Sequence, residues 1–535
     1  MASTVQQNGS ANGPDSEYTE VTLEQFMKMD ESERSKLTKS RRKKLSKLEE
    51  RQLQKSKKEQ EAIAKMEEEN RQRLERAALI TIKMDETLPK AEMVKIRDMA
   101  GMVGKRVKVS GWVLHLRQDG KKLWFVDLRD GTGFLQCVMT GDMCCTVDAL
   151  KMRRETSVTF WGTLVKDEKE RAKGSYPGME LHVDYWERVG ESPAEIENIL
   201  TQDSAVDIKM KNRHLVIRGA HSSSVMRMRS IISHCFREHL HDRGYVELHP
   251  PTLVNTMCEG GSTLFKLDFF EEPAYLTQSS QMYLETGIPA VNDCFCILPS
   301  YRAEKSSTRR HLAEYHHVEA ECPFITFDDL LDRIEDLVCD TIERIVEKAS
   351  KFPGLIELAC ANGTKITPLK RPFKRMNYTD ALKYCREHGI YKDEETKTHF
   401  EFGDDIPEAP ERRMTDEIGE PILLCRFPAS LKSFYMYKCP EDPRLTESVD
   451  LLLPGVGEVV GGSMRMWDEK EMTEAYKKEE MDPAPYYWYT DQRKFGSCPH
   501  GGYGLGLDRF VTYILGIHHI RDVCLYPRYR GRLEP

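Results

Sequence analysis

The chain has 535 residues, enough for about three domains of 100–200 residues each. Apolar residues make up 39% and charged residues 31%, with a formal net charge of −8, so a buried core is possible beneath a surface more charged than usual. No apolar run approaches the ~20 residues of a membrane span, and the N-terminus has neither the apolar stretch of a secretory signal nor the arginine-rich character of a transit peptide, so a cytoplasmic protein with no membrane attachment is expected.

Residues 1–20 are polar and read as a disordered tail. Residues 21–80 contain no proline and only helix-tolerant residues, which predicts a long charged helix within an N-terminal extension, 21–100. Between Lys36 and Gln60 eleven basic residues stand against three acids. So lopsided a block is a candidate handle for a polyanion. A nuclear-localisation reading of Lys39, Arg41, Arg42, Lys43 and Lys44 is an alternative. Leu37, Leu45, Leu48 and Leu53 are too sparse for a coiled-coil seam, so the helix is expected to be solvated all round.

Residues 101–192 change character. Alternating apolar segments at 107–113, 123–128, 134–139, 158–165 and 179–183 read as five strands, with Asp130-Gly131-Thr132-Gly133 as a hairpin turn. Five short strands in about 90 residues predict a small barrel of the OB type, a fold that binds oligonucleotides or oligosaccharides. Residues 193–224 read as a linker.

Residues 225–243 form a helical pattern closed by Gly244. From 225 to 535 helices and strands mix, with antiparallel pairs expected at 293–320 and 446–467 and a Thr326-capped helix to about Lys348. Residues 351–420, polar and broken by prolines, read as an insertion. The whole is an α+β chain. Its fifteen cysteines show neither CxxC pairs nor zinc-finger spacing, so reduced core thiols and no zinc are expected.

Two segments carry the chemistry. Tyr301-Arg302-Ala303-Glu304, followed by Arg309-Arg310-His311-Leu312-Ala313-Glu314-Tyr315, sets guanidinium groups beside an aromatic ring. A guanidinium makes two parallel bonds to phosphate oxygens, and an aromatic face suits a purine. The second segment, Gly502-Tyr503-Gly504-Leu505-Gly506-Leu507-Asp508-Arg509-Phe510, places an arginine behind a glycine-rich strand. In the sequence reading the glycines let the backbone approach a nucleotide. The two segments resemble motifs 2 and 3 of class II aminoacyl-tRNA synthetases. The helix before Gly244-Tyr245-Val246-Glu247-Leu248-His249-Pro250-Pro251 is similar to motif 1, which implies a homodimer through about 225–251.

The resemblance implies a catalytic domain of antiparallel sheet flanked by helices, and it implies roles. Arg302 binds the α-phosphate and the reacting carboxylate, Glu304 the adenine amino group, and Arg310 and His311 the distal phosphates. Tyr315 stacks on adenine and Arg509 holds the γ-phosphate. Leu312, Gly506 and Asp508 complete the expected ATP site, Asp508 standing where relatives often carry Glu. Glu458 matches the carboxylate that binds Mg²⁺ and ATP. Arg302, Arg509 and Glu458 are the expected catalytic residues.

A barrel ahead of this domain is similar to the aspartyl, asparaginyl and lysyl subgroup. In Gln278-Ser279-Ser280-Gln281-Met282-Tyr283-Leu284-Glu285, Leu284 stands where aspartyl enzymes carry a lysine for the substrate carboxylate. A neutral amide fits better: Glu285 accepts from its NH₂ and Arg465 donates to its oxygen. Gln281, Arg302 and Glu259, the last facing the ammonium, complete the expected asparagine site. Lys432-Ser433-Phe434-Tyr435-Met436 replaces the Arg-Pro-Phe-Tyr of aspartyl enzymes. Over 104–535 the chain thus resembles asparaginyl-tRNA synthetases of the cytosolic eukaryotic type, whose basic N-terminal helix it also shares. The implied activity is ATP-dependent ligation of asparagine to tRNA(Asn) through an asparaginyl-adenylate, with Mg²⁺. The barrel then reads the anticodon through Phe125, Gln136 and Arg117, a core position being the other reading of Phe125. An aspartyl enzyme is the nearest rival. An asparagine-making relative would lack the barrel, and a non-catalytic scaffold would not need Arg302, Glu458 and Arg509 together.

Overall fold

A computed structural model describes residues 21–166, 178–201, 203–258, 263–305 and 308–535. The disordered-tail expectation for 1–20 and the ammonium role of Glu259 fall outside them. The chain divides into two compact units. One holds the described N-terminal residues to Leu88 with 118–124 and 139–152; the other holds 89–117, 125–138 and the rest of the chain from Arg153.

In the first unit the expected long helix is α1, Lys39–Ala78. It does not begin at residue 21. Thr22 with Gln25, and Asp30 with Glu33, form capping boxes that start the short helices Leu23–Lys28 and Glu31–Ser35. Thr38 caps α1 in turn. The short helices fold back so that Val21, Phe26, Leu37 and Leu45 bury one another. Arg34 grips Glu49 with two bonds of 3.1 and 2.8 Å and lies 4.5 Å from the Phe26 ring centroid. One end of the helix is therefore a small folded cap rather than solvated all round. Lys39, Lys43, Lys47 and Arg51 are exposed at four-residue steps and share one helix face.

β1 (Arg106–Gln118), β2 (Leu123–Arg129), β3 (Phe134–Thr140), β4 (Ser157–Lys166) and β5 (Met179–Gly190) form the expected five-stranded barrel, most of whose residues belong to the second unit. Antiparallel pairing of β1 with β4, Arg106 opposite Thr163, closes it. Asp130 Oδ1 accepts from Thr132 N (2.8 Å) and Gly133 N (3.1 Å) at the β2–β3 turn. Residues 193–224 hold three short helices, and Arg213 is buried with its guanidinium on the carbonyls of Asp522 and Leu525.

Helix α2 (Ala220–Asp242) runs into Gly244, whose φ of +84° turns the chain into β6 (Val246–Glu247). The central sheet adds β7 (Cys294–Tyr301), β8 (Glu314–Pro323), β9 (Lys374–Asn377), β10 (Ile422–Cys425), β11 (Ser448–Leu453), β12 (Gly457–Met464) and β13 (His500–Gly506). Their order is β9-β10-β11-β12-β13-β8-β7-β6, antiparallel except at the two edge pairs. Helix α3 (Gln281–Val291) precedes β7. Helix α4 (Phe327–Ser350), capped by Thr326 and Asp329, packs on α2, β12 and β13. Its buried Leu330, Ile334, Leu337, Ile342 and Ile345 recur at helical spacing.

The region read as an insertion is more than a surface loop. It supplies β9 to the sheet edge, α5 (Tyr378–Glu387) and α6 (Glu408–Ile418), around a core of its own that includes Tyr378, Phe400 and Met414. The chain then forms α7 (Glu469–Lys478), α8 (Tyr487–Lys494) and α9 (Leu507–Leu515).

Deleting a buried phenylalanine ring costs about 3–5 kcal/mol, more than a four-residue cluster can spare. In Phe26→Ala, amide protection over 23–37 is expected to vanish while that of α4 is unchanged, as read by hydrogen exchange.

Candidate active site

Motif 2 is the β7–β8 hairpin, in register from Cys294 opposite Glu321 to Tyr301 opposite Glu314. The Arg302 amide donates to Ala313 O (3.0 Å), closing the base of its loop. Motif 3 is β13 running into α9, with Gly506 as the N-terminal cap residue. One cavity lies over β8, β12 and β13. Arg302, Glu304, Arg310, His311, Leu312, Tyr315, Glu458, Gly506, Asp508 and Arg509 line it, as do Gln281 and Arg465. The cavity thus gathers the residues expected from motifs 2 and 3 and part of the expected amino-acid site.

The glycines of β13 serve a purpose that the sequence did not show. A Cβ on Gly504 would overlap the His317 ring, and one on Gly502 would overlap the Glu321 carboxylate. The bare strand makes room for side chains of its neighbour β8. At Gly506 the nearest atoms, in the Arg509 side chain, stand at ordinary contact distance.

Charges in the cavity are paired but not sealed. Arg509 Nη1 reaches Glu458 Oε2 at 3.2 Å and the Glu458 carbonyl at 3.0 Å. His311 Nε2 lies 3.4 Å from Glu304 Oε2, and Arg302 sits 5.6 Å from the Tyr315 ring centroid. Burial pushes the Glu458 carboxyl up, but Arg509, Lys432, Arg310 and Arg302 together hold it at about 2. Asp450, bonded to Lys432 Nζ at 2.7 Å, is lifted by burial to about 6. A Cβ on Gly461 would lie 3.5 Å from Glu458 Oε1 and 3.7 Å from Asp450 Oδ1. Its absence leaves two carboxylate oxygens over one bare position. Among the described residues no group of three or more His, Cys, Asp or Glu side chains is arranged to hold a metal alone. Two carboxylates suit Mg²⁺, which takes its remaining oxygens from phosphates and water.

Asp508 lines the cavity and is also held by its protein neighbours. Its oxygens accept from Arg229 Nη1 (2.6 Å) and the His316 amide (2.8 Å), so its carboxylate anchors the start of α9 beneath Arg509.

Glu285 departs from its expected place. It is fully buried and does not line the cavity. Oε1 accepts from Gln281 Nε2 (3.0 Å) and Tyr489 OH (3.0 Å), Oε2 from Arg493 Nη2 (2.5 Å) and His500 Nε2 (2.9 Å). A carboxylate has about four acceptor sites, and protein donors take all of them. Burial raises this carboxyl, but Arg493 and His500 outweigh it and keep the group ionised. Arg465 does line the cavity, held by Glu321 through bonds of 2.6 and 3.2 Å and by Ser463 Oγ at 2.7 Å. Burial lifts Glu321 to about 7 against the pull of Arg465, with Glu285 adding to the rise.

Sequence reasoning passed over Glu319, Glu321 and Asp450 in the lining, and Arg493 and His500 behind it, and gave Lys432 no role of its own. Alternation along β8 from Tyr315 would have put His317, Glu319 and Glu321 on one face. Nothing local marks Arg493 and His500, more than 200 residues from Glu285.

On the barrel, Val126 and Leu128 are core while Phe125 is half-buried on the outer face, 4.4 Å beneath the Arg117 guanidinium. The core alternative for Phe125 therefore fails. Gln136, also half-buried, donates to Glu180 Oε2 (3.0 Å) on β5.

His500 carries a pH signature. Burial pulls its imidazole down, but hydrogen bonding to Cys498 and the Glu285 carboxylate reverse this and raise it to about 9. An imidazole raised above its unfolded value of about 6.5 contributes its stability in full below that pH. The contribution is lost as pH rises through about 9. The melting temperature of the protein is expected to fall between these pH values, and that of His500→Gln to fall less, in parallel melts.

Comparison with known proteins agrees with this geometry. Residues 205–530 match the family model of class II tRNA synthetases (D, K and N), residues 107–189 that of an OB-fold nucleic acid binding domain, and residues 4–89 that of an asparaginal-tRNA synthetase N-terminal domain. The cytoplasmic asparagine–tRNA ligase of Bos taurus is 58% identical over 87% of this chain and 82% of its own length. The Entamoeba histolytica asparaginyl-tRNA synthetase in complex with asparaginyl-adenylate superposes with a TM-score of 0.77 at 49% identity, covering 84% of this chain and 100% of that one. The Pyrococcus horikoshii asparaginyl-tRNA synthetase complexed with asparaginyl-adenylate gives 0.74 at 35% identity over 83% of this chain and 100% of that one. With motifs 2 and 3 meeting in one cavity and likeness of this extent, the chain belongs to the asparaginyl-tRNA synthetase family of class II synthetases.

Proposed function

We propose that this protein activates asparagine with ATP and transfers it to tRNA(Asn) in the cytoplasm. The observation that carries this reading is a single cavity in which Arg302, Arg310 and Arg509 face Glu458 and Asp450 beside the Arg465–Glu321 pair. Cations for a triphosphate and carboxylates for its metal thus adjoin a site for a polar side chain.

In the first step a carboxylate oxygen of asparagine attacks the α-phosphorus in line. The bond from that phosphorus to the bridging oxygen breaks and pyrophosphate leaves. In the second, the terminal ribose 3′-hydroxyl of the tRNA attacks the adenylate carbonyl and AMP leaves. No protein nucleophile takes part. Arg302 spans the α-phosphate and the attacking carboxylate, which fixes the two reactants and offsets the charge that develops. Tyr315 and Glu304 hold adenine; Arg310, His311 and Arg509 hold the distal phosphates. Glu458, with Asp450, would hold Mg²⁺, which neutralises phosphate charge when bound.

Selectivity for the amide rests on Arg465, which donates to its oxygen, and on Glu321, which accepts from its nitrogen. Glu285 works behind them: it takes the Gln281 NH₂ and so leaves the Gln281 carbonyl to accept from substrate. Aspartate would bring a fourth carboxylate towards Glu285, Glu319 and Glu321, a like-charge encounter that excludes it. Phe125, Arg117 and Gln136 meet the anticodon, the basic stripe of α1 meets tRNA phosphates, and the α2–β6 region forms a homodimer.

Three outcomes test the scheme. ATP–pyrophosphate exchange is expected with asparagine and absent with aspartate. Arg302→Ala should lose about 10²–10³-fold or more in that exchange with an unchanged melting temperature; full activity in this variant overturns the assignment. Phe125→Ala is expected to lower kcat/KM for tRNA by about 10–100-fold, the worth of one stacked base, and to leave tRNA-free exchange intact.

A further inference from the structure

Helix α6 lies outside the three motifs, yet its first turn reaches the motif 2 loop. Glu411 is 8% exposed, and its Oε1 stands 3.6 Å from Arg310 Nη1. That separation is within ion-pairing range but too long for a hydrogen bond, and burial, with Glu458 nearby, lifts the Glu411 carboxyl to about 8 against the pull of Arg310. Glu411 Oε1 and Arg310 Nε and Nη1 are buried and make no hydrogen bond. Buried polar atoms without such bonds are rare and costly, so this arrangement has the form of one awaiting a further polar group beside Arg310. Gly457, the first residue of β12, leaves room for the pair against the strand. A Cβ there would stand 3.0 Å from Arg310 Nη1 and 3.3 Å from Glu411 Oε1, at a φ of +84°. Two further contacts fix α6 over this point. Asp416 Oδ1 accepts from the Gly455 amide at 2.6 Å, tying the helix to the β11–β12 turn, and α6 packs on β11 and β12.

We propose that Glu411 is a positioning residue that aims Arg310 at the distal phosphates of ATP, so that α6 forms the outer wall of the nucleotide site. The inference rests on the ATP-dependent activity argued above. Glu411 touches no reacting atom; it acts through Arg310. Bonds to phosphate oxygens would give Arg310 Nε and Nη1 the hydrogen bonds they lack, while Glu411, 3.6 Å away, keeps the guanidinium from swinging towards solvent.

The test is ATP–pyrophosphate exchange on the full chain, with ATP and asparagine titrated separately. For Glu411→Ala the expected result is a rise of about tenfold in KM for ATP, with kcat and KM for asparagine within about twofold of wild type. Glu411→Gln keeps the side-chain volume, guards against misfolding, and is expected to show a smaller rise in the same parameter. In an Arg310→Ala background, Glu411→Ala is expected to add less than about twofold, since the residue it positions is gone. Unchanged KM for ATP in both single variants overturns the proposal, and so does an undiminished effect in the Arg310→Ala background. A purely structural role would lower the melting temperature and the amount of active enzyme without this split between KM and kcat. If the wild-type chain shows no asparagine-dependent exchange, the functional reading falls, and this inference falls with it.

Discussion

An ionised carboxylate sealed from water is the constraint on which the site depends. Burying one alone would cost far more than a domain's stability. Glu285 is tolerated because Arg493, His500, Tyr489 and Gln281 converge on its two oxygens. Those donors come from α3, α8 and the first residue of β13, so satisfying one charge locks the substrate-side helix to the far wall. The locking extends outwards. Arg493 Nε donates to the Met466 carbonyl (3.0 Å) and the Arg465 amide to the His500 carbonyl (2.9 Å), so the backbone that carries Arg465 is held by the same group.

The second determinant is the absence of side chains. β12 and β13 are rich in glycine where β8 is rich in His and Glu, so the His317 and Glu321 side chains of β8 occupy the space a side chain on β13 would take. A cavity lined by carboxylates and guanidiniums thereby has a sheet for its floor, with Arg310 and His311 added from the motif 2 loop. Rigid elements hold such groups to the tolerances that phosphoryl chemistry needs.

Much of this was legible in the chain itself. Period-two alternation marked the barrel strands, and the Thr326-x-x-Asp329 cap marked α4, because both signals are local. Arg302, Arg310, Tyr315 and Arg509 were legible because contiguous strings carry them into the cavity. Glu285 was misread because its neighbours in sequence show a polar strand end and a substrate, whereas its neighbours in space are a helix and a strand some 200 residues on. The partner that holds Asp508 was illegible for the same reason: Arg229 lies on α2. The N-terminal cap was missed although both capping boxes stand in plain view, since a solvated helix explained the charges and left Phe26 without a role.

Helix α1 has one more property. Forty residues at 1.5 Å per residue make a rod of about 60 Å. Its cationic side chains crowd the N-terminal half, where the helix dipole is already positive. The rod is therefore polarised lengthwise, like a magnet with one exposed pole. Its field fades within about 8 Å at physiological ionic strength, so it does not draw polyanions from afar. What the length supplies is separation: the two ends of the helix stand about 60 Å apart, so the charge of the basic half goes unfelt at the other end.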